Sequence, residues 1–200
     1  MNINKEWAMP NANTFQIKPI KEFVEKEVYK VDTKNGGIIV DPFANTSNYG
    51  TITNDLNPNM PTKYHEDALI FLRHIETESA DLVLYDPPYS VSQASEVYNS
   101  FGGEKLEYSV TNSRYWSQVK DEIARILKVG GVVLSFGWNT NGIGKDHDCE
   151  MTDILIVAHG GIHNDTLCCR EVKISGNFDY SKSNLKHRKI TDSSITLFDE

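Results

Sequence analysis

The tetrapeptide Asp86-Pro87-Pro88-Tyr89 holds the densest chemistry in the chain. Proline has no N–H and a fixed φ, so two in a row make a stiff turn. Such a turn holds a backbone carbonyl, expected from Pro87, in one place beside the Asp86 carboxylate. Two acceptors fixed in this way suit the two N–H groups of an exocyclic amine. Tyr89 adds a flat ring that can cover a planar ligand. The plainer alternative is a strand-ending turn with an aspartate cap and a buried tyrosine. Asp41 and Asp55 also follow short apolar or β-branched runs, and Asp67 stands where a helix begins. Each alone reads as a cap or turn residue. Together, at successive strand-to-helix junctions, they point to one cleft whose carboxylates accept from ribose hydroxyls and amino groups.

Elements able to place these residues are readable from periodicity. Runs at 38–40, 51–53, 82–85, 132–136, 154–158 and 166–173 are apolar or β-branched and read as strands. Helical spacing follows Pro19 (Ile20, Phe23, Val24, Val28), covers 66–75, and returns in the stripe Trp116, Val119, Ile123, Ile126 and Leu127. Gly130-Gly131 is expected to stop that last helix. Strands alternating with helices predict a doubly wound α/β fold, a mostly parallel sheet covered on both faces. The last two runs, joined by 160–165, read as a hairpin. No period is visible before Asn13, and the polar stretch 90–112 reads as a loop.

These residues resemble the motifs of amino-directed DNA methyltransferases, with the catalytic motif at Asp86-Pro87-Pro88-Tyr89. Asp41-Pro42-Phe43-Ala44-Asn45 is similar to that family's cofactor loop, Asn54-Asp55 to the end of its second strand, and Glu66-Asp67-Ala68 to the segment beside the cofactor adenine. The small size and the Asp-Pro-Phe-Ala-Asn form resemble adenine enzymes of phages, mobile elements and restriction-modification systems. The resemblance spans about Phe15 to Lys173 and implies a Rossmann-like class I methyltransferase fold: a seven-stranded sheet ending in an antiparallel hairpin. It implies S-adenosylmethionine as cofactor and N6 of a flipped adenine in double-stranded DNA as acceptor. Asp55 would hold the ribose, Asp67 and Ala68 the adenine, and Asp41, Phe43, Ala44 and Asn45 the loop. Phe15 and Lys18 would close over the methionine part. The family's loop normally carries two glycines where this chain has Asn45 and Ser47. Asn tolerates left-handed φ; Ser does not share that tolerance, although Gly50 is near.

Composition sets the remaining bounds. The 200 residues fit a single domain, read as 1–176 with a polar, basic tail at 177–200. The net charge of −8 argues against a protein that coats nucleic acid. Lys182, Lys186, His187, Arg188 and Lys189 form the one basic cluster, a phosphate contact or a solvated terminus. Without a signal-like start or a membrane-length apolar run, the expected location is the cytoplasm, with no membrane contact. Cys149, Cys168 and Cys169 form no C-x-x-C pair and follow no proline, which argues against a zinc site and a Pro-Cys nucleophile; the adjacent Cys168 and Cys169 read as buried, reduced thiols. His159 and His163 read as surface histidines, with no metal expected. Trp116 reads as core; Trp138, just past a strand end, reads as core first and as a residue approaching the pocket second, and Trp7 as a stacking residue or an N-terminal anchor. Two rival readings stand: an RNA- or protein-directed enzyme of the same fold, and a non-catalytic partner subunit. Asn at the first motif position marks protein-glutamine enzymes and Trp at the fourth marks RNA enzymes; Asp86 and Tyr89 are neither. DNA specificity is expected from a homodimer or a partner subunit.

Overall fold

The computed structural model describes residues 1–89, 113–161 and 163–176. The loop read at 90–112, the basic cluster and the rest of the tail from 177 lie outside the described residues. Seven strands form one sheet in the order β1-β6-β7-β5-β4-β2-β3. They are β1 (Asn2–Trp7), β2 (Ile39–Asp41), β3 (Ile52–Thr53), β4 (Ala80–Tyr85), β5 (Leu127–Gly137), β6 (Cys149–Ala158) and β7 (Thr166–Lys173). Only β7 runs against its neighbours, β5 and β6. The other pairs are parallel. The doubly wound sheet and its terminal hairpin are as the sequence implies.

The helices are α1 (Lys18–Val28), α2 (Ala68–His74) and α3 (Ser113–Ile126). Strand alternation supplies a separate core to each face. Ile39, Leu82, Leu84, Leu134 and Phe136 pack with Ile20 and Val24 of α1. Val40, Val83, Tyr85 and Val133 pack with Phe71 and Leu72 of α2 and with Val119 and Ile123 of α3. Both faces are therefore covered, which explains the apolar runs in β2, β4 and β5.

Buried cations finish two helix ends. The guanidinium of Arg125 donates to the carbonyls of Leu72 and Ile75 at 2.9 and 2.8 Å. It also donates to Glu122 Oε2 at 2.7 Å. Lys173, fully buried, donates through Nζ to the carbonyls of Ala124 and Leu127 at 2.9 and 2.8 Å. These carbonyls lie at or just past the helix C-termini, where Leu72 O also accepts from the Ile75 amide at 3.2 Å, and the positive charge suits the negative end of the helix.

Three sequence expectations change. The stretch before Asn13 contains β1, which pairs with β6 from Asn2↔Asp153 to Trp7↔Ala158. Its residues are all exposed, so no apolar period announces it. Gly130-Gly131 does not stop α3, because the helix ends at Ile126 and β5 begins at Leu127. Gly130 instead takes φ 83° inside the strand, where the β4–β5 register slips between Ala80 and Leu82. His159 is buried: Ala8 O lies 2.8 Å from Nδ1 and Thr166 Oγ1 2.8 Å from Nε2. The Cys168 and Cys169 thiols are buried and free as expected, and so is Cys149.

Candidate active site at the strand tips

A cavity of about 760 Å³ opens beyond the carboxyl ends of β2, β3 and β4, the place where open α/β sheets bind ligands. Asp55 and the whole of Asp86-Pro87-Pro88-Tyr89 line it together. Phe15, Phe43, Ala44, Asn45, Asp67 and Ala68 complete the expected set. Lys18 and Asp41 do not reach it. Lys18 sits on the solvent face of α1, 4.0 Å from Glu22. The helix turns Pro19, Ile20 and Val24 inward and brings Lys21 to the cavity instead.

Asp41 lies beneath the cavity. It shares the strand face of Ile39 and is fully buried. Its Oδ1 accepts from the Phe43 amide at 3.3 Å, while Oδ2 makes no hydrogen bond. Burial pushes its carboxyl up to about 8; the Phe43 amide offsets part of this, and the charge of nearby Asp86 adds to it.

Backbone amides organise the side of the cavity nearest β2 and β3. Asp55 accepts from the amide of Asn45 at 2.9 Å and from that of Asn57 at 2.8 Å. Asn45 has φ 49°, so asparagine fills the left-handed position of the missing glycine. Ser47 needs no such conformation; its amide donates to Ala44 O at 2.7 Å. Glycine is required at Gly50, where a Cβ would stand 2.9 Å from Thr53 Cγ2 and 3.0 Å from Asp41 Cβ. Asp67 caps α2, accepting from Leu69 and Ile70 at 2.9 and 3.2 Å, and also takes the Tyr115 hydroxyl at 2.8 Å.

Sequence reasoning missed Asn54, which is 1% exposed. Its Nδ2 donates to Pro42 O at 3.1 Å and Glu66 O at 3.0 Å, and its Oδ1 accepts from Glu66 N at 2.9 Å. One side chain thus ties the Pro42 loop to the Asp67 cap. A lone asparagine carries no sequence signal for such a bridge. Trp116, expected in the core, packs against it and also lines the cavity, 6.2 Å from the Phe43 ring.

The β4 side is built from side chains. The Tyr89 hydroxyl donates to Asp86 Oδ1 at 2.6 Å. Burial raises the Asp86 carboxyl to about 6, against hydrogen bonds from Tyr89 and Thr14. Asp86 is therefore mostly ionised at neutral pH, yet close enough to its titration range to exchange a proton. Burial and the Asp86 charge push the Tyr89 phenol up, so it stays protonated and a donor.

No family model matches the chain, and no curated protein matches it. Solved structures do match in part. TrmN from Thermus thermophilus is 13% identical, with 79% of this chain and 49% of that one covered and a TM-score of 0.49. NSun6 from Pyrococcus horikoshii with SFG is 12% identical, covering 69% and 48%, with a TM-score of 0.43. A methyltransferase homolog protein from Pyrococcus horikoshii is 11% identical, covering 70% and 62%, with a TM-score of 0.44. The chain spans about half the length of the first two structures, which leaves activity to be argued from the site. Among the described residues no helix is long and apolar enough to cross a membrane, and no cluster suits a metal ion.

Proposed function

We propose that this protein transfers a methyl group from S-adenosylmethionine to the exocyclic amine of a nucleobase, N6 of a flipped adenine in DNA. One observation supports the reading: Asp86-Pro87-Pro88-Tyr89 and Asp55 line the same cavity. Its volume of about 760 Å³ has room for a nucleoside cofactor and a second planar ligand.

The residues fit the cofactor. Asp55 keeps carboxylate lone pairs beyond its two amide contacts for ribose hydroxyls. Phe43, Ala44, Ala68 and Trp116 give the apolar walls, and the Asp67 cap fixes the wall nearest α2. When bound, S-adenosylmethionine supplies an electrophilic methyl group on a sulfonium. The protein's own task is positioning. The ring delocalises the amine lone pair, and hydrogen bonds to Asp86 and to the Pro87 carbonyl favour a more tetrahedral nitrogen. As the N–C bond forms, that nitrogen sheds one proton, and Asp86 is the acceptor at hand. A base in a duplex cannot reach Asp86, so it must be extruded first.

Residues 1–176 are the catalytic domain on this reading, and the Lys182, Lys186, Arg188 and Lys189 cluster of 177–200 is assigned to phosphates. A homodimer or partner subunit supplies DNA specificity, and the cytoplasm is the place of action. RNA is the rival acceptor, since the acceptor chemistry is the same. The test offers tritiated S-adenosylmethionine with duplex DNA, single-stranded DNA and RNA, followed by mass spectrometry of the nucleosides. N6-methyldeoxyadenosine from DNA is the expected product. Label only in RNA would replace the DNA reading, and label in neither would refute methyl transfer to nucleic acid.

A further inference from the structure

Trp138 follows β5, where the chain turns into the exposed residues 139–141. It was expected in the core, yet it is 42% exposed. A lone exposed aromatic needs no explanation; this one is distinguished by its neighbours. Its ring stands edge-on to Tyr89, with centroids 5.8 Å apart and planes at 67°. Tyr89 in turn donates to Asp86. Gly137 lies beside Tyr89, where even a Cβ would be in ordinary van der Waals contact at 4.0 Å from Tyr89 Cδ1. Trp138 does not itself line the cavity of about 760 Å³; its indole meets Tyr89 from the β5 side of the acceptor carboxylate, across β4 from Asp55 and β3.

We infer that Trp138 is the outer wall of the acceptor subsite and stacks on a planar heteroaromatic base presented as an unpaired nucleotide. The inference rests on the methyltransferase reading and narrows its acceptor. Two rings near a right angle make a corner, in which a flat ligand lies along one face and meets the other edge-on. An aliphatic amide gains little from such a corner. A base gains stacking that is sequence-tolerant, because every base has a π-face. A half-exposed indole supplies this while leaving the site open to a base on its strand.

The experiment uses a single-stranded DNA oligonucleotide with one central 2-aminopurine and randomised flanks, whose fluorescence falls when the base stacks. It is titrated with the full chain and with W138A and W138F, and S-adenosylmethionine binding to each is measured by calorimetry. Wild type is expected to quench the probe. W138A should lose the quench and weaken binding about 5- to 150-fold, the loss expected for one base–aromatic stack. W138F should retain most of both, and cofactor affinity should be the same in all three. Quench and affinity unchanged in W138A would overturn the inference while leaving the methyltransferase reading intact. So would wild type that binds cofactor but leaves the probe bright. Wild type that binds no cofactor would overturn the reading, and the inference with it.

Discussion

The two sides of the cavity are built on different plans. Toward β2 and β3 the acids are clamped mainly by backbone amides, Asp55 by Asn45 and Asn57 and Asp67 by Leu69 and Ile70, with the Tyr115 hydroxyl added at Asp67. Asn54 then staples the two loops together. On the other side Asp86 is met by the side chains of Tyr89 and Thr14, with Trp138 beyond. Amide contacts fix a carboxylate wherever the chain is fixed, whereas a hydroxyl can swing away on one torsion. The first plan suits a cofactor that is the same in every turnover. The second suits an acceptor that must enter and leave, because the Tyr89 hydroxyl occupies an oxygen that a substrate N–H can claim.

That contrast can be broken at either side. Asp86→Ala is expected to have the largest effect, about 10²- to 10³-fold on methyl transfer, the scale of removing one transition-state hydrogen-bonding group. Calorimetry should show cofactor affinity little changed; a parallel loss of cofactor binding would erase the distinction between the sides. Asn54→Ala strands Pro42 O and both Glu66 backbone groups, costing about 2–3 kcal/mol in urea unfolding. It should weaken cofactor binding as well, since both loops are released.

Asp41 gives a test by pH. Its folded-state pKa of about 8 stands above the ordinary 3.8, so the folded protein holds the proton more tightly. The stability this contributes is complete below pH 3.8 and is lost as pH rises toward about 8. Asp41→Asn should therefore melt higher than wild type at pH 8, by about 3 °C or more, with the gap closing toward pH 4. A constant gap across that range would show that Asp41 is not held protonated. Tyr89→Phe should have the smallest effect. Wild-type methyl transfer should fall as pH drops through about 6, where Asp86 takes up its proton. Loss of the phenol donor should move this limb up by about half a unit to one unit.

The sequence made the centre of the sheet legible and its margins obscure. In β2, β4 and β5 both faces are covered, so the composition is apolar and the strands announce themselves. In β1 the side chains stay in solvent, and pairing with β6 is the only driving force, which composition does not record. The motif residues were legible as positions at strand ends, but not as directions. Asp41 and Asp55 both follow strands; the pleat turns one under the floor and leaves the other on the wall. Lys18 was misplaced by helix phase, as one residue's rotation decides between solvent and cavity. Trp116 and Trp138 were legible only as indoles, which suit a core and a ligand wall equally well, and Trp116 serves both. Asn54, whose bonds all go to backbone groups of other segments, had no pattern to betray it.

The pairing of Ile3 with Ile154 has a consequence for synthesis. β1 has no sheet neighbour until β6 is made, so its closure is among the longest-range events within the described sheet. The segment bearing Thr14 and Phe15 is moored through that strand on one side and α1 on the other. A ribosome-bound chain that has already made Asp86 therefore lacks its finished cavity wall. That wall is finished only once β6, at the end of the sheet away from β3, is in place.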